Sequence, residues 1–187
     1  MLFLSACFFI QLGIAQPKNS EKPKSAGRSN DVSLNFNTPV GGYLKDISNF
    51  SMGATYSWSK ERFGNMPSVP ARTIGFTANI GVDYYFGEKE NYYNQTVKYK
   101  GTTYLHAYGG AIYNPCAGGN IILTTGPSLE IYNGNSQFGF GVSLTGSIYF
   151  SKCRDIGISP NIIVMKQGNS EAVFAGGLGF NMAFLKK

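Results

Sequence analysis

The chain has 187 residues, 43% of them hydrophobic, a formal net charge of +6 and a mean hydropathy near zero. One domain is the default at this length, and no apolar run beyond the N-terminus is long enough for a helical membrane span. The positive charge sits in Lys18, Lys22, Lys24 and Arg28, in Lys98 and Lys100, and in Lys186 and Lys187; without a basic stripe and interleaved stacking aromatics no nucleic-acid partner is expected, and the charge reads as a plain solvated surface or as contact with anionic lipid headgroups or lipopolysaccharide.

Residues Leu2 to Ala15 are apolar and end in Gly13-Ile14-Ala15-Gln16, small residues of the kind a signal peptidase reads, so residues 1–15 are taken as an export signal. No Lys or Arg precedes the apolar run, which points to a start upstream of Met1. A competing reading makes Leu4-Ser5-Ala6-Cys7 a lipobox and Cys7 a lipid-carrying terminus, although the apolar run continues past Cys7. Residues 16–30 are rich in Lys, Ser, Pro and Gly without apolar periodicity and read as a flexible tether.

The domain expected at 31–187 is marked by a two-residue alternation that recurs from about Val32 to Phe184, least cleanly in the fourth strand, where Tyr104, His106 and Tyr108 fall on the polar parity. Eight strands are expected, at about Asp31–Phe36, Asn49–Ser59, Arg72–Phe86, Thr102–Tyr113, Asn120–Tyr132, Gln137–Phe150, Ile156–Met165 and Glu171–Phe184. In the sixth, Phe138, Phe140, Val142, Leu144, Ile148 and Phe150 share one face, and Gln137, Gly139, Gly141, Ser143, Thr145 and Ser147 share the other. A helix would scatter these residues around its surface. The first strand is short and weakly patterned, and Pro127 and Pro160 suggest bulges or breaks in the fifth and seventh. Asn133-Gly134-Asn135, Lys166-Gln167-Gly168-Asn169 and Asn114-Pro115-Cys116-Ala117-Gly118-Gly119 carry turn chemistry. The connection Gly87 to Gly101 is the longest on its side, and Lys60 to Ala71 is long for an inner turn.

The polar parity separates a membrane barrel from a soluble sandwich. A water-facing strand usually carries Lys, Glu and Arg, whereas this face is made of Gly, Ser, Thr and Asn with roughly one charge per strand or none. A narrow, crowded lumen accounts for that composition, and an even number of strands allows an antiparallel sheet to close. The fold expected is all-β, an eight-stranded antiparallel up-and-down transmembrane β-barrel. In the opposite reading, a soluble lipocalin-like carrier, the apolar parity would line a cavity.

The last strand, with Ala172, Phe174, Leu178, Phe180, Met182 and Phe184 on one face, ends in an aromatic residue much as the recognition signal of outer-membrane barrels does. Together with the export signal and the eight alternating segments, residues 31 to 185 resemble the small outer-membrane barrels of the OmpA and OmpX type, often named porins. Leu185-Lys186-Lys187 follows the terminal Phe, which displaces the signal, and the periplasmic peptidoglycan-binding domain of OmpA proteins is lacking. Residues Gln137 to Phe184 are also loosely similar to the conjugative-transfer barrels called TraO. The resemblance implies an envelope protein of the outer membrane of a Gram-negative bacterium, with the N-terminus in the periplasm and other envelope proteins as partners.

A lumen of eight strands holds only its own side chains. Asp83 and Glu130 are expected to point into it, with Arg72, Tyr85, Tyr104 and His106 as the groups that meet them. The alternative to an internal network is a gated polar path. His106 is the single histidine; some eight-stranded barrels are lipid A deacylases with a His-x-Ser pair on one strand, and here the matching position is Tyr108. With one histidine and unrelated cysteine spacing, no metal, cofactor or catalytic set is expected. Cys116 and Cys153 form either a disulfide or two free thiols, since their hairpins lie about two strand spacings apart, on the order of 10 Å. Tyr92, Tyr93 and Tyr99 mark an outer loop that contacts a ligand or neighbour, or belongs to the aromatic belt at the membrane interface. The function expected is a scaffold, adhesin or subunit of a larger envelope complex, against a narrow channel or a lipid-modifying enzyme.

Overall fold

Alternation of large apolar with small polar residues decides which face of each strand turns inward. The computed structural model describes residues 28–63, 73–92, 95–116, 119–150 and 156–186; the export signal, Cys7, most of the tether, Arg72, Tyr93 and Cys153 lie outside them. Eight long strands, β1 (Arg28–Gly41), β2 (Ser51–Phe63), β3 (Thr73–Tyr85), β6 (Thr102–Cys116), β7 (Gly119–Tyr132), β8 (Asn135–Tyr149), β9 (Ile156–Gln167) and β10 (Val173–Lys186), are joined by a short hairpin, β4 (Lys89–Tyr92) and β5 (Gln95–Lys98), and one helical turn, α1 (Leu44–Ile47). The eight long strands close into an antiparallel barrel in which each pairs with its neighbours in sequence and β1 pairs with β10, Arg28 opposite Lys186.

The parity holds on every strand. Phe76, Ile80, Phe138, Phe140, Leu144, Ile162, Leu178 and Phe180 are exposed on the outside, while Thr77, Asp83, Tyr104, Ser128, Ser143, Asn161 and Asn181 are buried inside. An exterior this apolar cannot face water around its whole circumference, whereas a hydrocarbon surround suits it.

Some boundaries differ from those expected. β1, expected as a short strand at about Asp31–Phe36, is a full strand running from Arg28 to Gly41, and Asn37 is buried inside with Asn35. Pairing of β1 with β2 stops at Asn37 opposite Ser51, so Pro39 lies beyond the last β2 bond. Pro127 and Pro160 cause no register shift. Pairs on either side of Pro127 keep one register, His106 with Ser128 and Gly109 with Thr125, and so do those around Pro160, Thr145 with Asn161 and Ile148 with Ile158. A proline in an antiparallel ladder removes one donor, and here the neighbouring bonds keep the strands aligned. The irregularities fall instead between Pro39 and Gly41 and between Tyr113 and Cys116, near strand ends.

Turn chemistry accounts for the tight connection: Asn133 and Gly134 have φ of 51° and 81°, the pair of positive values a two-residue hairpin of the I′ type requires. The β3–β6 connection, expected as the longest on its side, contains the β4–β5 hairpin. Its base is tied down, because the Tyr99 amide donates to the Glu88 carbonyl at 2.8 Å and the Glu88 amide donates to the Ile47 carbonyl at 2.9 Å.

Glycine on the inner parity has a steric task. A Cβ on Gly81 would stand 2.6 Å from His106 Cε1, and one on Gly141 would lie inside contact distance of the Tyr108 hydroxyl. His106 and Tyr108 thus each lie over a bare backbone, on the next strand for one and the strand beyond for the other. Gly141→Ala is expected to destabilise the barrel by about 1–3 kcal/mol through overpacking, and adding Tyr108→Phe should recover part of that loss because the hydroxyl is the obstructing atom. Urea unfolding of the two single variants and the double variant measures the coupling; strictly additive losses would rule out the contact.

Candidate functional site

The interior is the site that the fold builds, and it has three levels. At the end opposite the chain termini, the β1–β2 connection folds across the barrel mouth. Leu44, fully buried, packs into a cluster with Tyr85, Tyr104, Ile163, Met165, Val173 and Ala175, flanked by Tyr43 and Ile47. Tyr43 donates its hydroxyl hydrogen to Glu130 Oε1. A tyrosine has one such hydrogen, so the 2.6 Å contact between Tyr43 and Tyr104 is filled by the Tyr104 hydroxyl donating to Tyr43. Burial, with the hydrogen bond to Glu130 added, pushes the Tyr43 hydroxyl well above its ordinary range. That keeps it a neutral donor to the carboxylate.

The middle level centres on Asp83, 2% exposed. Asn37 Nδ2 donates to Asp83 Oδ1 at 3.2 Å, and His106 Nδ1 stands 3.6 Å from Asp83 Oδ2. The imidazole stacks on Tyr108 with ring centroids 4.8 Å apart, and Tyr85 meets Tyr104 edge to face at 5.5 Å. Gln167 Nε2 donates to Ser128 Oγ at 2.9 Å alongside.

Toward the termini the side chains shrink to hydroxyls and amides. Ser159 donates to Ser147 at 2.8 Å, Asn35 donates to Thr55 at 2.8 Å, and Asn181 donates to both Ser147 and Ser159. They surround a cavity of about 70 Å³ that reaches from Asp31 to His106 and Tyr108.

Of the residues expected inside, Asp83, Tyr85, Tyr104, His106 and Glu130 are there, although they form two clusters with different carboxylates. Arg72 lies outside the described residues, and the groups that meet the carboxylates are Asn37, His106 and Tyr43. Tyr43 comes from a connection that carries no strand pattern, so alternation had no means of placing it. Asn37 was within reach, as it continues the parity of Ser33 and Asn35. Cys116 closes β6, while Cys153 lies outside the described residues. Tyr92 ends β4, and Tyr99 is half-buried beyond β5. Among the described residues no three His, Cys, Asp or Glu side chains cluster as a metal site.

Exposed aromatics gather at the rim by α1. Phe50 stacks on Phe86 at 4.6 Å, and Tyr84 meets Phe86 edge to face at 4.9 Å. Rings at the ends of an apolar band are the arrangement of a membrane-interface girdle.

No family model matches the chain, and no curated protein matches it. Solved structures do share its architecture. The outer membrane enzyme PagL aligns with a TM-score of 0.58 at 11% identity, covering 81% of this chain and 98% of PagL. Ail, the attachment invasion locus protein of Yersinia pestis, aligns at 0.53 and 11% identity over 85% of this chain and 99% of its own, and at 0.59 in its complex with the heparin analogue sucrose octasulfate. At such identity the likeness is one of fold: a closed eight-stranded barrel of the outer-membrane type.

Proposed function

We propose that the protein is a small outer-membrane barrel of a Gram-negative envelope whose role is structural or adhesive: a scaffold, an adhesin or a subunit of a larger envelope complex. One observation carries the reading. Among the described residues the lumen is filled from the Tyr43–Leu44 plug down to the Asp83–His106 level, with a cavity of about 70 Å³ toward the termini; a closed interior of this kind supports a role carried by the apolar wall and the connections at its ends. The fold alone does not choose a role, since one protein that shares it is named an enzyme and another is named for attachment. His106 favours a non-catalytic role: its side chain is buried in the lumen against Asp83 and Tyr108. In this reading the termini are periplasmic, and α1 with the β4–β5 hairpin is outside, where outer-membrane barrels carry their longer connections. Lipopolysaccharide and other envelope proteins are the partners.

The test is conductance. Reconstituted in a planar bilayer, the protein is expected to give no step-like current. Steady single-channel steps that change size on Asp83→Asn or Glu130→Gln would replace the scaffold with the narrow channel, and a changed lipid A profile on His106→Ala would replace it with the enzyme.

A further inference from the structure

The β4–β5 hairpin stands over the exposed aromatics at the barrel mouth and carries two lysines where sheet chemistry disfavours them. Lys89 lies directly opposite Lys98, and the next pair is Glu90 with Val97. Successive pairs of a ladder face opposite ways, so the register puts the two lysine positions on one face of the hairpin and the Glu90 position on the other. Both lysine side chains are exposed, and among the described residues neither has an ion pair or a hydrogen bond. Like charges directly opposite destabilise a strand pair, and a two-stranded hairpin has little stability to spare. Lys100, which follows, is committed elsewhere, donating to Asn133 Oδ1 at 2.5 Å in the β7–β8 turn. What lies beside the pair shows where it looks. Lys89 lines an open cleft of about 440 Å³ together with Asn49, Glu88, Phe50 and Phe86, and the stacked rings of Phe50 and Phe86 are exposed on the outer wall. The cleft therefore opens outward, at the level where the apolar wall ends and lipid headgroups begin.

We infer that this cleft and the lysine pair hold the phosphorylated sugar headgroup of an outer-leaflet glycolipid, a lipopolysaccharide. The inference rests on the reading above, which puts the hairpin outside, and names the residues that meet the lipid. The two ammonium groups take the phosphate, whose negative charge offsets their mutual repulsion through charge-assisted hydrogen bonds. Phe50 and Phe86 meet the roots of the acyl chains. Asn49 and the half-buried Glu88 are left for sugar hydroxyls, which can donate to a carboxylate that a bare phosphate would be repelled by. The backbone of Glu88 is fixed for this, its amide donating to the Ile47 carbonyl and its own carbonyl accepting from the Tyr99 amide.

Native mass spectrometry of the full barrel, released from zwitterionic detergent, tests this with diphosphoryl lipid A, the same lipid stripped of phosphate, and phosphatidylglycerol as probes. Diphosphoryl lipid A is expected to bind tightest. Lys89→Gln and Lys98→Gln together should weaken it roughly tenfold or more, since each lysine contributes about what a basic residue does at an anionic lipid surface, while the phosphate-free lipid binds wild type and variant alike. Lys166→Gln, which removes another exposed lysine near the end of β9, should change nothing, and the compact unboiled band should persist in every variant. Equal affinity of the double variant and the wild type for diphosphoryl lipid A would overturn the inference, as would an equal loss in Lys166→Gln, because the attraction would then be one of net charge. Phosphatidylglycerol bound as tightly as lipid A would overturn the assignment to a sugar headgroup. Conductance, on which the scaffold reading stands or falls, involves none of these lysines, so either conclusion can fail without the other.

Discussion

Ile80→Arg is expected to destabilise the folded barrel by about 2–4 kcal/mol, the cost of an arginine facing the bilayer midplane. Ile80 is 64% exposed, midway along β3 between Tyr56 on β2 and Ala107 on β6. By the rule for water-soluble proteins, a charge at so exposed a position changes stability by no more than about 0.5 kcal/mol. The two environments therefore predict outcomes far enough apart to separate in one experiment. Phe150→Arg provides the depth control: Phe150 is also exposed but lies just beyond the end of β8, where the cost falls to roughly 0–1 kcal/mol. Unfolding from lipid vesicles, read by the difference in gel migration between boiled and unboiled samples, gives both numbers. Equal, negligible losses at the two positions would argue that the exterior meets water and not lipid.

Leu44→Ala is the second large effect, and it should be local. Leu44 is fully buried among Tyr85, Tyr104, Met165 and Val173, and truncating such a side chain typically removes about 2–5 kcal/mol. The segment it anchors is a single helical turn between two strands that are otherwise fully paired, so the loss falls on docking of the plug while the barrel ladder stays intact. Trypsin applied to intact cells is expected to cut at the exposed Lys45 much faster in the variant than in the wild type, with the unboiled band unchanged. Cleavage from outside the cell would also establish the orientation of the termini. Equal resistance in both proteins would show that Leu44 does not hold the plug.

The barrel was legible because its two environments have opposite chemistry at every second residue. From Ile74 to Tyr85 the inner and outer sets never mix, and the same holds from Phe138 to Ser147. Polar contacts inside were legible only as membership: parity places Asp83, Tyr85, Tyr104, His106 and Glu130 in the lumen, yet says nothing of which of them touch. Partnership depends on stagger between strands and on what enters from the ends. The plug illustrates the limit, since Tyr43 and Leu44 reach the core from a connection whose sequence, Gly42 to Phe50, has no period to read. Proline was misleading for a related reason. The loss of one donor at Pro127 is a local fact, whereas register is set by all the other pairs of the ladder.

Pairing of β1 with β10 makes assembly indivisible. Every other junction of the barrel joins strands close in the chain and forms as a hairpin, while this one joins Arg28 to Lys186 and waits until β10 has been synthesised. Until then the sheet has two open edges, each a row of unsatisfied amides and carbonyls that hydrocarbon cannot solvate and that any other strand can capture. A chain truncated within β10 is consequently a substrate for aggregation or proteolysis and not a slightly weakened barrel.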